Sequence, residues 1–258
     1  MITVTATQLD TAVDSVFWPF VRIGSCFMVA PVFGAVSVPA QLRIVLAGAI
    51  ALLIAPLIPE PARVSALSAA GVLITVQQAI IGIALGFCLQ ILFAAISLSG
   101  QLIANGMGLS LAFNLDPLQG AATPALGQLY TVLATLLFLL LHGDLALIRV
   151  LVQGFRTLPI GTAGLGARGI WTVVSWGSML FSGALAVALP GVTALLVANL
   201  AFGVVSRAAP SMNLFAVGLP ISLLFGLGVI IAGLPALESG FTRLLAETLI
   251  LLRHLSGA

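Results

Sequence analysis

Lysine is absent from this chain: all nine basic residues are arginines, spread from Arg22 to Arg253 without clustering. A nucleic-acid protein needs a concentrated basic face, so no nucleic-acid partner is expected. Charge of either sign is scarce, 6% of residues against about 25% in a soluble domain. The two cysteines, Cys26 and Cys88, stand alone in apolar surroundings, without CxxC spacing and without a neighbouring histidine. That pattern predicts buried thiols, not a disulfide or a metal site. His142 and Asp144 are close in sequence but have no nucleophile or metal ligand beside them, so they read as polar residues where a helix leaves a membrane. P-loop, HExxH and GxSxG patterns are all missing. No catalytic residue, cofactor or metal is expected, and the chain does not read as an enzyme. The first residues, MITVTATQLDTAVD, carry no positive charge before the first apolar run, so a cleaved signal peptide is not expected.

What is abundant is hydrocarbon. The 258 residues are 61% hydrophobic, with a mean hydropathy of +1.26. No soluble core of this size hides so much apolar surface, which predicts an all-α integral membrane protein. Charge-free runs cover 23–42, 44–59, 64–115, 117–143, 169–206 and 208–237. A span of the roughly 30 Å hydrocarbon core takes about 20 apolar residues, and several runs fit that length poorly. The proline-free stretch 71–99 reads as one helix of about 43 Å, long enough to tilt strongly or project from the bilayer. Run 169–206 is too long for one span and short for two; Pro190-Gly191 predicts a break at its middle.

The coarse reading places helices near 11–35, 40–58, 71–104, 123–152, 170–203 and 212–236, with a short amphipathic helix at 240–255. Pro31 to Pro39 separates the first two, and Phe155 to Ala167 is a glycine-rich loop. A simple six-span topology would put Arg63, Arg149, Arg156, Arg168, Arg243 and Arg253 on one side, leaving Arg43 and Arg207 opposite; the positive-inside rule then puts both ends in the cytoplasm. The run lengths argue against six ordinary spans. Prolines 19, 31, 190 and 220 within apolar segments point to tilted and broken helical hairpins buried in protein. Gly82-x-x-x-Gly86 lets helices approach closely. Arg22 lies within the first apolar segment, where burial costs about 2.5–3.5 kcal/mol. A carboxylate, backbone carbonyls, water or a group on another chain would offset that; snorkelling to the headgroups is the other reading, and the favoured one for Arg43 and Arg207.

One stretch interrupts the apolar helices. Gly100 to Pro124, GQLIANGMGLSLAFNLDPLQGAATP, holds four glycines, two prolines and Asp116, the sole charge between Arg63 and Asp144. From Met107 onward, Met107, Leu109, Leu111, Phe113 and Leu115 alternate with Gly106, Gly108, Ser110, Ala112, Asn114 and Asp116. Period two predicts extended backbone. At membrane depth such backbone survives only where protein or a water-filled path surrounds it, so this segment reads as a loop that lines or blocks a pore. Met107, Leu109, Leu111 and Phe113 offer a dry apolar seal, the glycines leave room to move, and Asp116-Pro117 anchors the return.

Three groups of residues together resemble a known family. The first is RIGSCFMVAPVFG at 22–34 with Val38-Pro39 and Arg43. The second is GQLI at 100–103, Gly106-Met107-Gly108, Asp116-Pro117 and an apolar helix ending near His142. The third is Leu189-Pro190, SRAAPSMN at 206–213 and Pro220. In this order, over nearly the whole chain, they resemble the FliR family of flagellar biosynthesis proteins, which is similar to the T-component of injectisome export gates. Ser211 stands where the family pattern leads one to expect glutamine, which bears only on that local contact. The resemblance implies one membrane domain over 1–258 in a helical export-gate assembly, with FliP-like and FliQ-like subunits and an FlhB-like protein as partners. It also implies the bacterial inner membrane at the flagellar basal body, contact with membrane lipid, unfolded flagellar proteins as substrates, and a pore plug at 106–122. Arg22, Pro31, Pro39, Arg43, Pro190, Arg207, Pro210, Asn213 and Pro220 are the expected structural or assembly residues. Two other readings stand beside it: a small-solute secondary transporter, for which Asp116 alone makes a poor coupling site, and an ungated scaffold. Co-purification with partner subunits separates the transporter from the gate.

Overall fold

The computed structural model describes residues 6–35, 38–58, 64, 68–109, 125–161, 164–208 and 214–257. Those residues form helices and connecting turns: α1 (Ala6–Val29), α2 (Ala40–Ile54) with a 3-10 turn at Ala55–Leu57, α3 (Ala69–Gly106), α4 (Ala125–Leu140), α5 (Gly143–Thr157), α6 (Ala167–Trp176), α7 (Ser178–Ala208) and α8 (Leu214–Leu255). The all-α class holds. Among the described residues four stretches are long and apolar enough to cross a membrane, 40–57, 69–106, 167–205 and 220–255, or five if α4 and α5 form one broken span. Six ordinary spans are not found among the described residues. At 1.5 Å per residue α3 and α8 are about 57 and 63 Å long, roughly twice the hydrocarbon thickness.

Several expected boundaries move. The first helix stops at Val29, not 35: Ala30 N makes a last helical bond to Cys26 O at 2.7 Å, and Pro31 then begins a turn that Gly34 closes by donating to Ala30 O at 2.7 Å. The expected helix at 123–152 is two, since His142 takes a left-handed conformation (φ 53°) and restarts the ladder when Ala146 N donates to its carbonyl at 3.0 Å. The expected break at Pro190-Gly191 is absent. α7 continues through Pro190, and the interruption lies instead at Gly177. Proline removes one backbone donor, but in an apolar setting the rest of the ladder is too costly to give up. Thr193 Oγ1 meanwhile donates to Leu189 O and Pro190 O, each at 2.9 Å. For the same reason the two helices expected at 212–236 and 240–255 are the single α8, with Pro220 and Pro235 inside it.

The chain divides into two compact units. The first comprises residues 1–91, 141–177 and 246–258; the second comprises 92–140 and 178–245. In the first, α1 and α2 form a hairpin, and the amino-terminal part of α3 lies against α1 with Gly82 and Gly86 at the crossing. A Cβ on Gly86 would stand 2.7 Å from Cys26 O, and one on Gly82 would overlap Ser25 Oγ and the Arg22 carbonyl. The small-residue spacing therefore does the packing expected of it. Trp18, Ile23, Phe27 and Cys88 are fully buried around this crossing. In the second unit Phe93 meets Phe138 and Phe241 edge-on at 5.7 and 6.1 Å. There Gly100 brings α3 against the Leu126 carbonyl and Tyr130 of α4.

Candidate functional site

The root of the interrupting loop is built in the second unit. α3 continues to Gly106, so the extended backbone expected from Met107 does not begin there. Met107 N donates to Ile103 O at 3.0 Å and Gly108 N to Asn105 O at 3.1 Å, which makes Met107-Gly108 a helix-closing turn. Gly108 takes φ 78°, the left-handed conformation that ends helices and suits glycine best. Side chains from two other helices accept the task of satisfying the carbonyls the helix end leaves free. Asn199 Nδ2 of α7 donates to Gly106 O at 2.9 Å, and Ser222 Oγ of α8 donates to Met107 O at 3.3 Å.

Met107 itself is 2% exposed. It fills the space over Gly226 of α8, where a Cβ would come within 2.7 Å of its sulfur. Gly106 leaves room for Leu195, and Leu109 is half-buried. The end of α3 is thus a clamped point held by α7 and α8. Leu111, Phe113, Asp116 and Pro117 lie outside the described residues, as do Pro210 and Asn213. Replacing Gly226 with valine is expected to displace Met107 and destabilise the protein by about 1–3 kcal/mol, read as a lower thermal unfolding temperature in detergent. Gly228, with open space around its Cβ position, tolerates alanine.

The first unit holds the buried arginine. Arg22 is 1% exposed. Its Nε donates to Gln78 Oε1 of α3 at 2.7 Å. Its Nη1 and Nη2 donate to Gly154 O and Leu158 O, at the carboxy-terminal end of α5, at 3.3 and 3.0 Å. The guanidinium carbon lies 4.2 Å from the centroid of the Phe155 ring. A helix carboxy terminus carries partial negative charge, so the cation is met by oriented carbonyls and a ring face. Of the offsets considered from the sequence, backbone carbonyls supply most of it, from the same chain. Phe155 and Leu158 were read only as the start of a loop; α5 in fact extends to Thr157.

The remaining expected residues separate. Pro31, Pro39 and Arg43 come together in the α1–α2 turn. Pro39 precedes the first residue of α2, and Arg43 Nη2 donates to Ala35 O at 2.6 Å and Val38 O at 2.8 Å. Arg43 secures the turn instead of reaching only for headgroups. Pro190 and Pro220 lie within α7 and α8, and Arg207 is exposed in the last turn of α7. Asn199, Ser222, Gly226, Gln78 and Phe155 were not foreseen. Each is an ordinary residue of an apolar helix whose role exists only through a partner far away in sequence.

Residues 13–248 match the family described as bacterial export proteins, family 1. The flagellar biosynthetic protein FliR of Escherichia coli K12 is 37% identical over 98% of this chain and 96% of its own length. FliR of Pectobacterium carotovorum is 36% identical over the same shares. FliR of Bacillus subtilis is 30% identical over 79% of this chain and 80% of its own length. With a match that runs through both units and both sites, the chain belongs to family 1 of the bacterial export proteins, the flagellar biosynthetic FliR type.

Proposed function

We propose that this flagellar export-family membrane protein is a core subunit of the export gate in the bacterial inner membrane at the flagellar basal body. It assembles with FliP-like and FliQ-like subunits, an FlhB-like protein joins them, and residues 106–122 plug the pore through which unfolded flagellar proteins pass. The observation that carries the reading is the clamped loop root. Asn199 and Ser222 hold the carbonyls of Gly106 and Met107, and the segment that follows combines large apolar side chains with glycine. A plug needs a fixed attachment and a deformable body, and this arrangement offers both. The apolar side chains would exclude water and ions, while Asp116 and Pro117 would hold the return to α4.

Exposed apolar surface supports assembly with other chains. In the most apolar windows of stretches 40–57 and 220–255 only 17% and 22% of residues are buried, against 67% for α3. Lipid covers such surface as well, so the test is co-purification. Tagged protein expressed with FliP-like and FliQ-like subunits is expected to pull down both in fixed ratio. Recovery of a stable homo-oligomer with neither partner would favour the transporter reading.

A further inference from the structure

We propose that the pocket between α5 and the carboxy-terminal end of α8 binds the headgroup of an anionic glycerophospholipid. The pocket has a volume of about 480 Å³ and is lined by the polar side chains of His142, Arg149, Gln153 and Arg253 together with the apolar Leu141, Leu145, Ala146 and Val150. It lies entirely within the first unit. Arg149 and Gln153 are four residues apart on α5, so their side chains share a face. Arg253, from the last turn of α8, adds a second guanidinium at the same opening. Both arginines are exposed, and neither guanidinium has a hydrogen bond or ion pair among the described residues; the Arg253 carbonyl accepts from Ser256 Oγ at 2.8 Å. Asp144, in the first turn of α5, does not line the pocket.

The lining is two-sided in its chemistry. Two guanidiniums, an imidazole and an amide suit a phosphodiester and its polar substituent, since arginine forks match phosphate oxygens two at a time. Leu141 and Leu145, 40% and 47% exposed, continue the pocket into an apolar rim suited to the glycerol and the first acyl carbons. A free inorganic anion has no use for that rim. A basic opening beside apolar helices is the arrangement that draws acidic lipid headgroups in membrane proteins. Arg149 and Arg253 line one and the same pocket, which one headgroup contacting both requires.

The test uses the purified full-length protein in detergent, titrated with phosphatidylglycerol or phosphatidylcholine and read by native mass spectrometry. Phosphatidylglycerol is expected to bind more tightly. Arg149→Gln and Arg253→Gln should each weaken its binding about fivefold, and the double variant about 25-fold. Phosphatidylcholine binding should hardly change, and Arg168→Gln, outside the pocket, should behave as wild type. Equal affinity for the two lipids, or unchanged phosphatidylglycerol binding in the double variant, overturns the proposal. So does displacement of phosphatidylglycerol by inorganic phosphate at matching concentration, which would make the pocket a plain anion site. So does its exclusion by an acidic segment of a partner subunit that the two arginines hold. If the double variant is not monodisperse, the wild-type preference measured against salt decides. It must fall as ionic strength rises, and a salt-independent preference contradicts a headgroup held by charge.

Discussion

Arg22→Ala is expected to destabilise the protein by about 2–4 kcal/mol and to abolish its recovery in complex with FliP-like and FliQ-like subunits. The substitution removes three hydrogen bonds and a ring contact at once. It leaves Gln78 Oε1 and the Leu158 carbonyl without that donor, each buried acceptor costing about 1–3 kcal/mol, while Gly154 O keeps the bond from Leu158 N at 2.9 Å. Part of that loss is returned because a cation no longer has to be desolvated. Arg22→Lys should rescue little. A single ammonium on a flexible stem cannot reach Gln78 and two separate carbonyls in the fixed directions of a guanidinium fork. Gln78→Leu, which leaves the cation in place and removes one acceptor, should fall between wild type and Arg22→Ala. Thermal unfolding in detergent and yield of the co-purified complex are the two readouts. Wild-type unfolding temperature and yield for Arg22→Ala would mean the buried network is incidental.

That network also marks where sequence reading stops. Arg22 stood out because an arginine in an apolar run needs an explanation. Its partners are 56, 132 and 136 residues away, and nothing local to Gln78, Gly154 or Leu158 announces them. Short-range signals served well where one force dominates. The charge-free, proline-free stretch at 71–99 is helical in α3, and Gly82-x-x-x-Gly86 is a helix crossing because only a hydrogen fits there. They failed where two rules compete. Pro190 reads as a breaker, yet apolar surroundings make an intact ladder worth more than the single bond lost. At the segment after α3, glycine and alternation placed the start of extended backbone at Met107, which is too early. Ile103 and Asn105 still accept from Met107 and Gly108, and the left-handed glycine that closes the helix was counted as part of the extended run. Asn199 and Ser222, which hold that root, look from sequence like incidental polar residues in apolar helices.

The second large effect concerns the loop beyond its root. Replacing 110–122 with a short glycine–serine linker keeps Gly106 to Leu109, and with them the contacts to Asn199, Ser222 and Gly226. Assembly should therefore survive, while the proposed apolar seal of Leu111 and Phe113 should be lost. Phe113→Ala should leak less, because neighbouring apolar side chains close part of the gap. Asp116→Ala should loosen the loop without removing its seal. Met107→Ala acts elsewhere. Met107 is buried over Gly226, so its truncation should cost about 2–5 kcal/mol of stability before it affects conductance.

Ion conductance of the assembled complex in a planar bilayer tests the gating claim most directly. The wild-type complex is expected to hold a flat, closed baseline, and the complex carrying the linker in place of 110–122 to show open conductance steps at the same protein load. Equal, low conductance for both, with each complex confirmed intact after reconstitution, would contradict the plug and leave the chain as an ungated scaffold of the export apparatus.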